Sequence, residues 1–219
     1  MSAISSLSAL YYRTVNAFQH ADGLPALLLR LYLAPIFITA GLHKINHIED
    51  IISWFANPDW GLGLPAPELM AYLAAYTEFL GGFALLFGLA TRLVAIPLMF
   101  TMIVAAVTAH WDNGWFAIAS SSQETSIAYV LDMVGFPGAK ESLENSAEVA
   151  TRLGAAKGIL QEHGNYGWLT GKGGFVILNN GIEFAATYFI MLLSLFFTGG
   201  GRYVSADYYM GKAFPAANA

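Results

Sequence analysis

The stretch AYTEFLGGFALLFGLATR, residues 75–92, places one carboxylate, Glu78, inside an apolar run that approaches the length of a lipid bilayer. A charge at that depth costs about 3 kcal/mol even on the mildest insertion scales. Whatever tolerates Glu78 therefore constrains everything packed around it. Its helical neighbours at offsets of three and four are Ala74, Ala75, Gly81 and Gly82, all small. Small residues line helix contacts in membranes, so Glu78 is expected to face a neighbouring helix and not lipid.

The surrounding chain fits that setting. Of 219 residues, 56% are hydrophobic and 11% charged, against about 25% charged in a soluble domain. A span needs about 20 mostly apolar residues to cross roughly 30 Å of hydrocarbon. Four stretches qualify, at approximately 24–43, 69–89, 93–109 and 175–198. The second and third are joined only by ATRL, a turn short enough to demand an antiparallel hairpin. The first begins too far from the N-terminus, and lacks the cleavage site, for a secretory signal, so it is expected to be retained. The expectation is an all-α membrane protein: one domain over 1–219, a four-transmembrane-helix bundle with an insert at 111–174.

Arg13, Arg92, Arg202 and Lys212 fall on one side of these spans, whereas the first opposite loop carries Glu49, Asp50, Asp59 and Glu68. By the positive-inside rule both termini of this multi-pass membrane protein are expected to be cytoplasmic. The chain has no cysteine, which removes disulfides and thiol redox relays and leaves quinone, flavin or metal for any electron chemistry. The net charge of −5 is unlike a nucleic-acid surface.

Two smaller elements are legible. Leu7, Leu10, Tyr11, Val15 and Phe18 recur at helical spacing, which reads as an interfacial helix or an unstructured tail. In the insert, PGAKESLENSAEVATRLGAAKGILQEHG, residues 137–164, reads as an amphipathic helix with Leu143, Ala147, Ala150, Leu153 and Leu160 on its apolar face, a lid or a surface helix.

An internal repeat is the strongest long-range signal. Arg30-Leu31-x-x-x-Pro35-x-x-x-Thr39 recurs as Arg92-Leu93-x-x-x-Pro97-x-x-x-Thr101. Glu78 is matched by Glu183, which also has small residues, Ala186 and Thr187, three and four positions on. This predicts two parallel helix-hairpin repeats. It also gathers Glu78, Glu183, Arg30 and Arg92 into a candidate core network, with Arg30 and Arg92 as counter-charges. Two readings stand: the pairs fix helix register, or they handle protons or ligand.

The outward side collects His43, His47, His110 and His163 with all five tryptophans. His43, His47 and His110 are candidate metal ligands, and Trp111 and Asp112 candidate cofactor contacts. Interfacial anchoring explains the same residues. In the tail, Gly199 to Gly201 break the last helix beside Arg202, either as a plain stop or as an anion contact.

LLLRLYLAPIFITAGLHK, YTEFLGGFALLFGLATRLVAIPLMFTMIVAAVTAHWDNGW and GGGRYVSAD together resemble the DoxX family of small bacterial inner-membrane proteins with four helices. The insert ending GNYGWLTGKGGFVILNNGIEFAATYF looks like the HvfX subgroup. The resemblance implies a quinone-linked redox component working with partner proteins, in the setting of maturation of copper-binding modified peptides and their maturation enzymes. It carries over Arg30, Glu78, Arg92, His110 and Trp111 as candidates. Quinone and copper are the ligands it brings in. The alternatives are a non-enzymatic scaffold or chaperone and a small proton-coupled transporter, which would need to form a homo-oligomer.

Overall fold

The computed structural model describes residues 3–18, 21–122, 126–135 and 139–214. The side chain of Phe18, and residues 137–138 ahead of the predicted amphipathic helix, lie outside the described residues. Ten α-helices follow in order among the described residues: α1 Ala3–Phe18, α2 Gly23–Asn46, α3 Ile48–Ala56, α4 Pro67–Phe87, α5 Thr91–Ala105, α6 Ile127–Met133, α7 Ala139–His163, α8 Tyr166–Leu169, α9 Glu183–Thr198 and α10 Ala206–Ala213. No strand occurs among them, only an antiparallel bridge between Ile118 and Leu178. The chain divides into two compact units, residues 1–103 with 187–219, and residues 104–186.

The first unit is built on apolar helices. Its core takes Leu33, Ala34 and Phe37 from α2, Leu85 from α4, Ala95, Leu98 and Met102 from α5, and Leu192 and Leu195 from α9. The surface is as apolar as the core: Leu28, Leu73, Leu93, Phe100 and Phe197 are all exposed. A surface of this kind is stable where the solvent is hydrocarbon. Three helices are long and apolar enough to cross a membrane: α2, α4 and the run Thr91–Asn113 that continues α5.

The fourth predicted span is shorter than expected. Helix begins at Glu183 instead of near 175, leaving 16 residues, about 24 Å at 1.5 Å per residue. The cause is local. Asn180 adopts φ +58°, and a Cβ on Gly181 would stand 2.5 Å from Gly114 O, so this stretch is shaped to lie against the 113–117 backbone. Between α2 and α4, α3 forms and packs on α4.

α2 and α4 approach each other closely. A Cβ on Gly41 would fall 2.4 Å from Phe79 N, and one on Gly82 would fall 2.8 Å from Ile38 N. The two backbones approach at van der Waals distance because neither position carries a side chain, the small-residue device of membrane helices. α4 starts on Pro67, whose missing N–H costs nothing at a helix's first turn. It stops at Gly88, where φ +64° forms a left-handed cap.

In the second unit α6 packs against α7. α7 confirms the predicted amphipathic helix but rotates its inner face by one residue: Ser146, Val149 and Leu153 are buried, while Ala147 is exposed. Glu148 and Arg152 pair at i, i+4 on the outer side.

Because Gly41 faces backbone and not a flexible side chain, Gly41→Leu is expected to destabilise the protein by about 3 kcal/mol or more, or to abolish folding. Thermal unfolding in detergent reads this directly. Gly154→Leu, at a position with open space around it, is expected to leave the midpoint nearly unchanged.

Candidate functional site

Glu78 sits at mid-length in α4 and is 6% exposed. Its partner is Lys44, near the C-terminal end of α2, whose Nζ donates to Glu78 Oε2 at 2.5 Å. The lysine is a fifth exposed and the carboxylate side chain 7%. Lys44 therefore extends from α2 to the carboxylate on α4 with part of its side chain exposed. The close approach at Gly41 and Gly82 brings the two helices near enough for the pair to form. Arg30 and Arg92, the expected counter-charges, are elsewhere.

Arg30 is 1% exposed. It lies against the Gly88 cap, where a Cβ would stand 1.6 Å from Arg30 Nη1, and its Nη2 donates to Val204 O at 2.9 Å. Asp207 is the nearby carboxylate. Its two oxygens accept from Ala90 N at 2.6 Å and Thr91 N at 2.8 Å, capping the start of α5. Arg92 is exposed, with its Nε 3.2 Å from where a Gly199 Cβ would be. The two arginines matched by the sequence repeat thus occupy different environments.

Glu183 is also unlike Glu78. It is the first residue of α9 and accepts from Ala117 N at 3.0 Å, while its own N–H donates to Trp115 O at 2.9 Å. It closes a seam between residues 113–119 and 177–183, in which Asn179 and Asn180 both donate to Ala117 O and Ile182 donates to Gly114 O. Its register is structural, and it makes no ion pair among the described residues.

His110 joins the same seam. It ends a π-helical turn, Ala106–His110, that continues α5. Its Nδ1 lies 2.8 Å from Asn180 O. A carbonyl oxygen only accepts, so Nδ1 carries the proton and neutral His110 presents Nε2 as a free lone pair. Trp111 and Asp112 follow in an exposed 3₁₀ turn. His43 and His47 stack at the end of α2 with ring centroids 4.7 Å apart. Among the described residues no group of three or more His, Asp or Glu side chains gathers as a metal cage.

Beside the pair, α4 and α5 form an apolar groove of about 460 Å³. Tyr72, Tyr76, Thr77, Gly81 and Pro97 are in its wall, and the Tyr72 and Tyr76 rings stack at 6.3 Å. Thr77 and Gly81 adjoin Glu78 on the same helix, so the groove and the ion pair occupy neighbouring faces of α4.

Lys44 and Asp207 were the functional side chains least visible in the sequence. A signal for Lys44 existed: Arg30, Leu33, Phe37, Gly41 and Lys44 continue one inward stripe at spacings of three and four. Asp207 had none, because its targets are backbone N–H groups more than a hundred residues away.

Residues 26–111 match the DoxX family model. Over 82 residues the chain is 40% identical to a Bacillus subtilis (strain 168) protein named "Putative oxidoreductase CatD", covering 37% of this chain and 57% of that one. It is 30% identical over 89 residues to "Uncharacterized membrane protein Rv3486" of Mycobacterium tuberculosis (strain ATCC 25618 / H37Rv), covering 40% of this chain and 53% of that protein. The chain thus spans little more than half the length of these curated relatives. No solved structure matches it. The DoxX match over residues 26–111 and the three long apolar helices among the described residues point to a membrane protein, and the matched segment contains α3, α4, α5 and nearly all of α2, including Lys44 and Glu78.

Lys44→Met, which strands a buried carboxylate, is expected to cost about 3–5 kcal/mol, and the double replacement with Glu78→Gln to recover most of that loss. A double-mutant cycle on unfolding in detergent measures the coupling, and additive losses would mean the two side chains act independently.

Proposed function

We propose that the protein is a redox component of the bacterial inner membrane that exchanges electrons with a quinone alongside a partner protein, with Lys44 and Glu78 handling protons. The observation that carries this reading is a carboxylate buried in mid-helix and held by the ammonium of a partly exposed lysine side chain. Such a pair can take up a proton at one end and present it at the other, which a salt bridge kept only for register does not need.

The neighbouring groove fits a quinone. Its volume of about 460 Å³ lies within the roughly 300–1,000 Å³ of small-ligand sites. Its mouth is flanked by exposed apolar side chains, Leu69, Leu73 and Leu80, so entry is from the bilayer. A bound quinone supplies two-electron, two-proton chemistry. Tyr76 and Thr77 contribute hydroxyls to the wall, Glu78 holds a proton at a carboxylate oxygen, and Lys44 restores it from water. The name of the Bacillus subtilis relative supports an oxidoreductase.

In this reading the chain crosses the membrane four times with both termini cytoplasmic, α9 being the fourth pass. Its outward side meets a copper-bearing modified peptide as substrate. His110 Nε2 and the His43–His47 pair are groups a metal-bearing peptide would encounter. A scaffold role is favoured by a different observation: α6 and the residue after it expose Ile127, Tyr129, Val130, Met133 and Val134, an apolar face without cover in its own unit. Deleting residues 139–163 would then end partner binding while Glu78→Gln leaves function intact.

The test uses purified protein in liposomes with decylubiquinone. Tyrosine quenching is expected on binding, and Glu78→Gln and Lys44→Met are expected to slow quinone turnover with the native partner about a hundredfold while leaving quenching largely intact. No quenching, or unaltered turnover in both variants, overturns the reading.

A further inference from the structure

At the end of the first unit where α2 and α5 begin and α4 and α9 finish, a second cavity of about 490 Å³ opens between the start of α5 and the turn after α9. Arg92, Gly199, Gly200, Arg202, Ser205 and Asp207 are in its wall. The chemistry of this wall is unbalanced. Three arginines meet here, and only two carboxylates answer them. Asp22 pairs with Arg202 at 3.1 Å, and Asp207 has both oxygens committed to backbone N–H groups. Arg92 makes no ion pair among the described residues.

Buried donors behind the wall are also unused. Arg30 Nε, Arg30 Nη1 and Thr91 Oγ1 are buried without a hydrogen-bond partner, although Arg30 is 1% and Thr91 0% exposed. Thr91 Oγ1 points at the cavity wall, since a Cβ on Gly200 would come within 2.8 Å of it. The same Cβ would meet Ser205 Oγ at 3.0 Å, so only glycine fits against these two hydroxyls. Buried polar groups are almost always satisfied, and several unsatisfied donors at one place call for an acceptor. The positive surplus and a turn of three glycines in the wall suit a multi-oxygen anion.

The position selects which anion. The cavity lies at one end of the apolar helices, where lipid headgroups stand. Leu93, in its wall, is 71% exposed, and Phe197, next to Thr198 in the wall, is 69% exposed. These side chains suit acyl chains continuing from a bound headgroup. We propose that this cavity binds the phosphate of an anionic phospholipid, with Arg92 and Arg202 as the clamp.

Native mass spectrometry of the full chain tests this with three probes: dioleoylphosphatidylglycerol, dioleoylphosphatidylcholine and inorganic phosphate. Phosphatidylglycerol is expected to remain bound one to one, at least tenfold better than phosphatidylcholine. Arg92→Ala and Arg202→Ala are each expected to weaken it about tenfold, whereas Arg152→Ala, in the other unit, leaves it unchanged. If an alanine variant does not fold, Arg92→Gln and Arg202→Gln replace the charges while keeping a polar stem and should show the same loss. Equal retention of phosphatidylcholine, undiminished binding in the arginine variants, or displacement of the lipid by inorganic phosphate overturns the proposal; the last would mark a free-phosphate site.

Discussion

A carboxylate within an apolar helix sets the terms for α2 and α4. Glu78 needs a cation, its partner among the described residues is Lys44, and Lys44 reaches it because Gly41 and Gly82 let the two backbones touch. Bulk at either glycine would part the helices and leave two charges without each other. Sterics and electrostatics are therefore one constraint: the close contact excludes lipid from the pair, and the pair fixes the rotation of both helices about it. α3 packs on α4, α5 meets it through Leu98 against Gly81, and Tyr188 of α9 stacks near Phe37 of α2.

The two ends of the apolar helices are managed differently. At the Lys44 end, charge is gathered into a compact pair beside two stacked imidazoles. At the other end, the charges serve the backbone: Arg30 braces the Gly88 cap and Val204, and Asp207 caps α5. Helix termini in apolar surroundings must satisfy their N–H and C=O groups within the protein, and α10 supplies that service to α5 from far along the chain.

Much of this was legible beforehand. Three apolar spans, the tight α4–α5 turn, the inward face of Glu78 and the helix at 139–163 all follow from composition, spacing and small-residue neighbours. Pairing was not. The repeat suggested arginines as the counter-charges, yet Arg30 is occupied by backbone and Arg92 stays exposed. Glu183 looked like a second Glu78 from the residues after it, Ala186 and Thr187. Before it, however, Asn179 to Gly181 bond to residues 113–117, which starts the helix at Glu183 itself and turns a supposed core acid into the clasp of a seam. Local spacing reads faces of a helix; it does not read where a helix begins when the deciding contacts are some 65 residues apart.

The most direct measurement on the Lys44–Glu78 pair is an infrared difference spectrum of the reconstituted protein between its quinone-oxidised and quinone-reduced forms. If Glu78 carries protons, a carboxyl band changes with reduction and disappears in Glu78→Gln. A difference spectrum that is the same in wild type and Glu78→Gln would show that the pair only holds the helices together.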